Sequence, residues 1–83
     1  MSKYSIELVE WVDSCSLPGH RGWRDIMEAD ALTPALVRSV GWVIKETEDS
    51  IVLVSQNGEN EIDGEICIVK VCIKHRKVLL KDD

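Results

Sequence analysis

The chain has 83 residues, of which 45% are hydrophobic and 30% are charged, so it suffices for one small folded domain over residues 1–83. Its longest apolar runs span four residues, which excludes a membrane-spanning helix of about 20 residues and a secretory signal with an apolar centre of roughly 7–15. The net charge of −5 also lacks the basicity typical of DNA-binding proteins. We therefore expect a cytoplasmic protein that has no membrane partner.

Residues 4–13 are predicted to form the first strand. Apolar and polar residues alternate up to Leu8, and Val9 and Trp11 then fall on the opposite face. Two apolar sets in one strand indicate a β-bulge, or a barrel strand that is buried differently at its two ends.

Residues 23–31 have the spacing of a short amphipathic helix. Four apolar residues fall at i, i+3, i+4 and i+8, namely Trp23, Ile26, Met27 and Ala31. A helix of about two turns is not stable alone, so we expect its apolar face to pack on the rest of the domain. Pro34 ends it by favouring extended backbone in the residue before it.

Two runs rich in β-branched residues, 36–46 and 51–55, predict a hairpin that turns at a polar segment. Gly41 lies inside the first of these strands. A glycine at such a position indicates a sharp bend or a close approach of another backbone.

The rest of the chain predicts a loop or loose acidic hairpin at 57–64, a short strand at 66–69, a brief turn at 70–72 and a last strand at 73–80. Five short strands and one short α-helix are too little for a deep sandwich. They favour a mainly β fold, a partly open barrel that hides its edges. Phenylalanine is absent, so we expect Trp11, Trp23 and Trp42 to supply most of the large core volume.

Charge is divided between two segments. Residues 46–65 hold seven acidic residues and no basic one, whereas residues 70–81 hold five basic residues and no acidic one. The simpler interpretation is complementary charge on the solvated faces of neighbouring strands. The alternative is a basic strip that contacts an anion, with Lys74 and Arg76 as its candidate residues.

The cysteines and the catalytic motifs predict neither a cofactor nor an enzyme. An odd number of cysteines argues against a disulfide framework, and no paired C-x2-C spacing favours zinc. Cys67 and Cys72 lie in an apolar run, so we expect buried thiols. The chain has no phosphate loop, no G-x-S-x-G and no H-E-x-x-H. A Cys15–His20 nucleophile pair lacks a third group to orient it.

The stretch from Gly19 to Trp23 has the composition of a binding site. His20, Arg21 and Trp23 stand between and after two glycines, and Arg and Trp are the residue types that dominate interface hot spots. We predict that these three residues bind a partner or an anion, together with Arg38, Lys74 and Arg76. The alternative is that Trp23 belongs to the core and that the charged side chains are solvated.

Two resemblances bear on function. The segments "VEWVDS" (9–14), "GWRDIMEA" (22–29), "VRSVGWVIKETEDSIVLV" (37–54) and "IVKVCI" (68–73) resemble small uncharacterised proteins encoded by tailed phages and prophages, over roughly two thirds of the chain. This resemblance implies a viral accessory protein, and it carries no assigned activity or functional residues.

The segment from Val40 to Leu79 resembles strands 2–5 of Sm-like small β-barrels, with a bent Gly-bearing strand, a hairpin, a variable loop, a short strand, a tight turn and a closing strand. Sm-like proteins often form rings and bind RNA. This chain lacks their Asp–Asn RNA-site signature and the histidine-bearing turn motif of the bacterial form. The resemblance therefore implies the fold and not the RNA site.

Three hypotheses of function follow. The first is a non-enzymatic phage accessory module that binds a host or phage protein. The second is an Sm-like barrel that binds nucleic acid through residues 70–81, which the net charge disfavours. The third is a protein that sequesters a nucleotide or other small molecule near Arg21 and Trp23. A barrel this small is marginal alone, so we also expect a homo-oligomer.

Overall fold

The computed structural model describes residues 4–14 and 22–81. The strands of these segments are β1 (Ile6–Asp13), β2 (Ala35–Glu46), β3 (Ser50–Val54), β4 (Gln56–Asn57), β5 (Ile62–Asp63), β6 (Ile66–Val69) and β7 (Ile73–Leu80). The two helical turns are 3-10 helices, η1 (Ile26–Ala31) and η2 (Lys70–Cys72). The mainly β prediction is confirmed, and the five longer strands lie close to their predicted positions.

The prediction of a short α-helix at 23–31 is wrong, because the described residues contain only 3-10 turns there. The Asp25 carboxylate caps η1 by accepting a hydrogen bond from the backbone N–H of Met27 at 3.0 Å. η1 ends at Leu32, whose N–H bonds the carbonyl of Ala29 at 3.0 Å. Ile26 and Met27 are exposed, so this six-residue segment gains too little burial to offset the cost of nucleating an α-helix.

Five strands form one antiparallel sheet in the order β6-β3-β2-β1-β7, and β4 pairs with β5 beside it. β6 and β7 lie at opposite edges, although only η2 joins them. Four strand spacings put such edges roughly 19 Å apart in a flat sheet, whereas three 3-10 residues advance about 6 Å. The sheet is therefore strongly curved, but β6 and β7 do not pair and the described strands form no closed barrel.

β2 approaches the backbone of β3 closely at Gly41. A Cβ atom on Gly41 would overlap the backbone carbonyl oxygen of Val54, so only glycine leaves room for the two chains. The predicted close approach at Gly41 is confirmed. The ladder between β2 and β3 is also irregular between Val43 and Lys45, which adds to the twist.

The core lies on the concave face of the sheet and is aliphatic. Its buried residues are Val9, Ile51, Leu53 and Ile68, with Trp11, Val43, Ile66 and Ile73 packed around them. The expectation of a core built on three tryptophans is only partly met. Trp11 and Trp42 are half-buried, whereas Trp23 is fully exposed.

The two apolar sets of β1 have a structural explanation. Glu7, Val9 and Trp11 all face the core, so an acidic residue shares the buried face. The pairing of β1 with β2 is regular, and the bulges occur where β1 pairs with β7. The predicted irregularity of β1 is therefore present on one side of the strand.

The prediction of two buried thiols is wrong, because Cys67 is exposed and Cys72 is half-buried. Strand alternation explains Cys67, since its neighbours Ile66 and Ile68 point to the core. Among the described residues, no group of three or more His, Cys, Asp and Glu side chains is placed to share a metal ion. No helix in the same segments is both long enough and apolar enough to cross a membrane.

Candidate protein-interaction surface

Arg76 stands at the centre of an ion-pair cluster made by four elements. From β7 its guanidinium donates to both carboxylate oxygens of Glu7 on β1, at 2.8 and 3.0 Å. It also donates to both oxygens of Glu46 at the end of β2, at 3.1 Å each. Lys70 of η2 adds a contact of 2.8 Å to Glu46. Four charged groups thus hold one end of the curved sheet together.

The electrostatics of this cluster follow from its geometry. Hydrogen bonds from Arg76, and then from Lys70, lower the pKa of Glu46 from its ordinary value of 4.5 to about 2. Hydrogen bonds to Glu7, and then to Glu46, raise the pKa of Arg76 further above its already high value. Glu7 is buried, so its charge depends on Arg76 for compensation. The cluster therefore joins elements of the protein to one another and does not form an open site for an anion.

Arg76 and Arg38 were both predicted to bind a partner or an anion. Four of the five N–H donors of Arg76 are used inside the protein. Arg38 lies on the exterior face, where its Nε bonds Glu10 at 2.8 Å while its side chain stays 69% exposed. Arg38 is therefore accessible to a partner, whereas Arg76 has little capacity left.

Lys74 lies at the start of β7 beside a shallow groove between η2 and the far ends of β1 and β2. The groove is lined by Val12, Asp13, Ser14, Pro34, Val71, Cys72 and Lys74. Lys74 is exposed and belongs to the described residues of the predicted basic strip. Glu46 contacts both Lys70 and Arg76. In the described chain, the basic side chains of the strip that contact no carboxylate are therefore Lys74, Lys77 and Lys81.

Trp23 belongs to the most exposed apolar segment that the structure describes, residues 22–34, here called the arm. Trp23 has no protein cover, Ile26 is 84% exposed and Met27 is 69% exposed. Polar contacts organise the arm from within, through the Asp25 cap and a weak Arg24–Glu28 ion pair of 3.9 Å. The arm therefore presents its apolar side chains to solvent on a locally ordered turn.

The predicted site from Gly19 to Trp23 is only partly described. His20 and Arg21 lie outside the described residues, and Gly22 has a positive φ of 134° next to Trp23. Trp23, Arg38, Lys74 and Arg76 are distributed over the arm, the exterior face, the η2 groove and the ion-pair cluster. The structure does not gather these four residues into one site.

Sequence reasoning missed two features of this surface. Ile26 and Met27 were predicted to be a packed helix face, and they are exposed instead. Glu7 and Glu46 were not recognised as partners of Arg76. A signal for Glu7 was present, because it shares its strand face with Val9 and Trp11. No local signal connects Arg76 with Glu46, 30 residues away.

Comparison with known proteins identifies no relative. The chain matches no family model, no curated protein and no solved structure.

Proposed function

We propose that this protein is a small, non-enzymatic protein-binding module, a phage or prophage accessory protein that acts on a host or phage factor in the cytoplasm. The exposure of Trp23, Ile26 and Met27 on the arm is the observation that carries the proposal. Solvent-exposed aromatic and aliphatic side chains gathered on one segment mark interaction surfaces, and tryptophan and arginine dominate their hot spots.

The fold supports a module built for binding rather than for chemistry. We propose that the curved sheet is a partly open barrel of the Sm-like or SH3-like kind, because its order places consecutive strands at opposite edges across a three-residue turn. The arm is inserted between the first two strands of this scaffold. A loop held by a rigid sheet is the usual position of binding residues.

The mechanism of binding is burial of the arm in a groove of the partner. A tryptophan can remove roughly 150–250 Å² from water when it is packed. Ile26 and Met27 extend the same apolar segment, and Met27 adapts readily to an irregular groove. We propose that a second copy of the chain is also a partner.

Nucleic-acid binding is the weaker candidate. Arg76 contacts Glu7 and Glu46, and Lys70 contacts Glu46. Two of the five basic residues in 70–81 are therefore neutralised within the protein. Salt-dependent retention on RNA or DNA at physiological ionic strength would favour nucleic-acid binding over protein binding by the arm. We expect only weak retention.

The test compares two exposed apolar residues in different places. Wild-type protein is cross-linked in an extract of its host cell, and the partner that it captures is purified. The affinity of this partner is then measured for the wild type, Trp23→Ala and Val71→Ala. We expect Trp23→Ala to weaken binding at least tenfold. Val71→Ala, which changes a 90% exposed side chain outside the arm, should leave the affinity unchanged. Equal affinities for both variants and the wild type would refute the arm as the binding site.

A further inference from the structure

Among residues 4–14 and 22–81, one strand edge of the sheet has no strand partner and no lysine or proline to protect it. β3 pairs with β2 only from Trp42 to Glu46, whereas β1 follows β2 down to Ala35. Residues 35–41 therefore pair on one side only within the described chain. β4 lies close to β2, but it pairs with β5 alone.

The hydrogen-bonding groups on this edge can be assigned from the ladder between β1 and β2. The N–H of Val43 donates to the carbonyl of Ser5 at 3.0 Å, and the register continues without a bulge to Asp13 and Ala35. Because hydrogen-bonded pairs alternate in an antiparallel ladder, Val37 and Ser39 bond to β1. The N–H and C=O groups of Leu36 and Arg38 point away from β1 and form an open edge.

This edge differs from the two outer edges of the sheet. β6 has only four residues, and β7 carries Lys74 and Lys77. Short strands and lysine side chains are two ways in which proteins prevent edge pairing. Residues 35–39 of β2 are Ala-Leu-Val-Arg-Ser, with no proline and no lysine. The side chains of Leu36 and Arg38 are 60% and 69% exposed. An unprotected edge of this kind is normally covered.

We propose that a second copy of this chain covers it, through antiparallel pairing of the two β2 edges about a two-fold axis near Val37. Around that axis Leu36 of one copy lies opposite Arg38 of the other. Leu36 and Arg38 exchange backbone hydrogen bonds across the interface, and the two-fold axis produces a second, equivalent set of bonds. The two Arg38 side chains are not directly opposite, and each keeps its own Glu10, so no like charges are forced together.

The area that a second copy needs is moderate. Stable dimers bury about 800 Å² on each partner, roughly one eighth of the 6668 Å² accessible surface of this chain. Leu36 and Val40, which are 60% and 55% exposed beside the edge, contribute apolar surface to that area. The pairing joins the two curved sheets into one and leaves Trp23 available, so the dimer does not depend on the partner of the arm.

Amide exchange on the full-length wild-type protein tests the pairing residue by residue. Sedimentation should give a mass that rises from 9.4 kDa towards twice that value with concentration. In the same range the amides of Leu36 and Arg38 should become at least tenfold more protected from hydrogen exchange. The amides of Val37 and Ser39, which bond to β1, are protected at every concentration and serve as the internal control. A monomer at all concentrations, or a dimer in which Leu36 and Arg38 gain no protection, would overturn the proposal.

Variants test the same interface independently. Leu36→Pro removes an outward N–H that the monomer does not use, so we expect a folded monomer whose dimerisation is weakened at least tenfold. Leu36→Ala keeps that N–H and should still dimerise, as should Trp23→Ala. If Leu36→Pro proves unfolded, the exchange measurement on the wild type decides. A folded Leu36→Pro protein that dimerises like the wild type would contradict the proposal, while the Trp23 result bears only on the arm.

Discussion

β2 passes through two environments along its 12 residues. From Trp42 to Glu46 it pairs with β3, and Val43 packs against the core residues there, although the ladder with β1 ends at Trp42. From Ala35 to Gly41 it has β1 on one side only, and Leu36 and Val40 are more than half exposed. The residue types are alike in the two halves. The comparison shows that pairing with the buried strand β3, and not the hydrophobicity of a residue, accompanies burial in β2.

The largest expected effect is at the cluster that closes the covered half. Arg76→Ala leaves the buried Glu7 carboxylate without its partner and should lower the free energy of unfolding by about 3–5 kcal/mol. Arg38→Ala removes an exposed pair of the same type and should cost less than about 1 kcal/mol. Urea unfolding at low protein concentration measures both. Similar losses of unfolding free energy in the two variants would mean that the cluster does not hold the sheet together.

A truncation in the core should rank next. Ile51 is fully buried between β2 and β6, so Ile51→Ala should cost about 3 kcal/mol through lost burial and the cavity that remains. Leu36→Ala, in the open half, should change the stability of the monomer by no more than about 0.5 kcal/mol. Thermal or urea unfolding of the monomers compares them. A costly Leu36→Ala would show that this half is packed in solution.

The close contact between β2 and β3 at Gly41 is the third target. Gly41→Ala places a methyl group against the Val54 carbonyl and should destabilise the fold by about 1–3 kcal/mol, because backbone must shift to make room. Gly22→Ala separates the two causes of strain, because it has open space around the new methyl group and a positive φ of 134°, so its cost of more than about 0.4–1 kcal/mol comes from backbone conformation alone. If the Gly41 variant were as stable as the wild type, β2 and β3 would not be in close contact at this point.

The smallest effect is the response to pH. The pKa of Glu46 is lowered in the folded state from 4.5 to about 2, so its contribution is complete above pH 4.5 and disappears as the pH falls through 2. Glu46 is partly exposed, and solvent screening limits this contribution to less than about 1 kcal/mol. The stability difference between wild type and Glu46→Gln should therefore narrow between pH 5 and 2 in urea unfolding. A constant difference would contradict the ion-pair role.

Local pattern predicted much of the fold because strands and turns are encoded over a few residues. The β-branched runs at 36–46 and 51–55, the turn at 70–72 and the last strand from Ile73 to Leu80 were all predicted within about two residues of their observed limits. The close backbone approach at Gly41 was one of the two features predicted for a glycine inside a strand, the other being a sharp bend. The candidate site was less predictable: Trp23 was recognised, while Ile26 and Met27 were assigned to a packed face.

The sequence by itself determined the mainly β fold, the order and limits of the main strands and the close backbone approach at Gly41, because these depend on side-chain alternation, turn residues and the absence of a side chain on glycine. Only the tertiary structure decided which apolar residues are buried and which charges are paired. Trp23 is fully exposed although its residue type favours the core, and Arg76 meets Glu7 and Glu46 because curvature brings β7, β1 and β2 together. Contacts between residues distant along the chain depend on topology, which local periodicity does not encode.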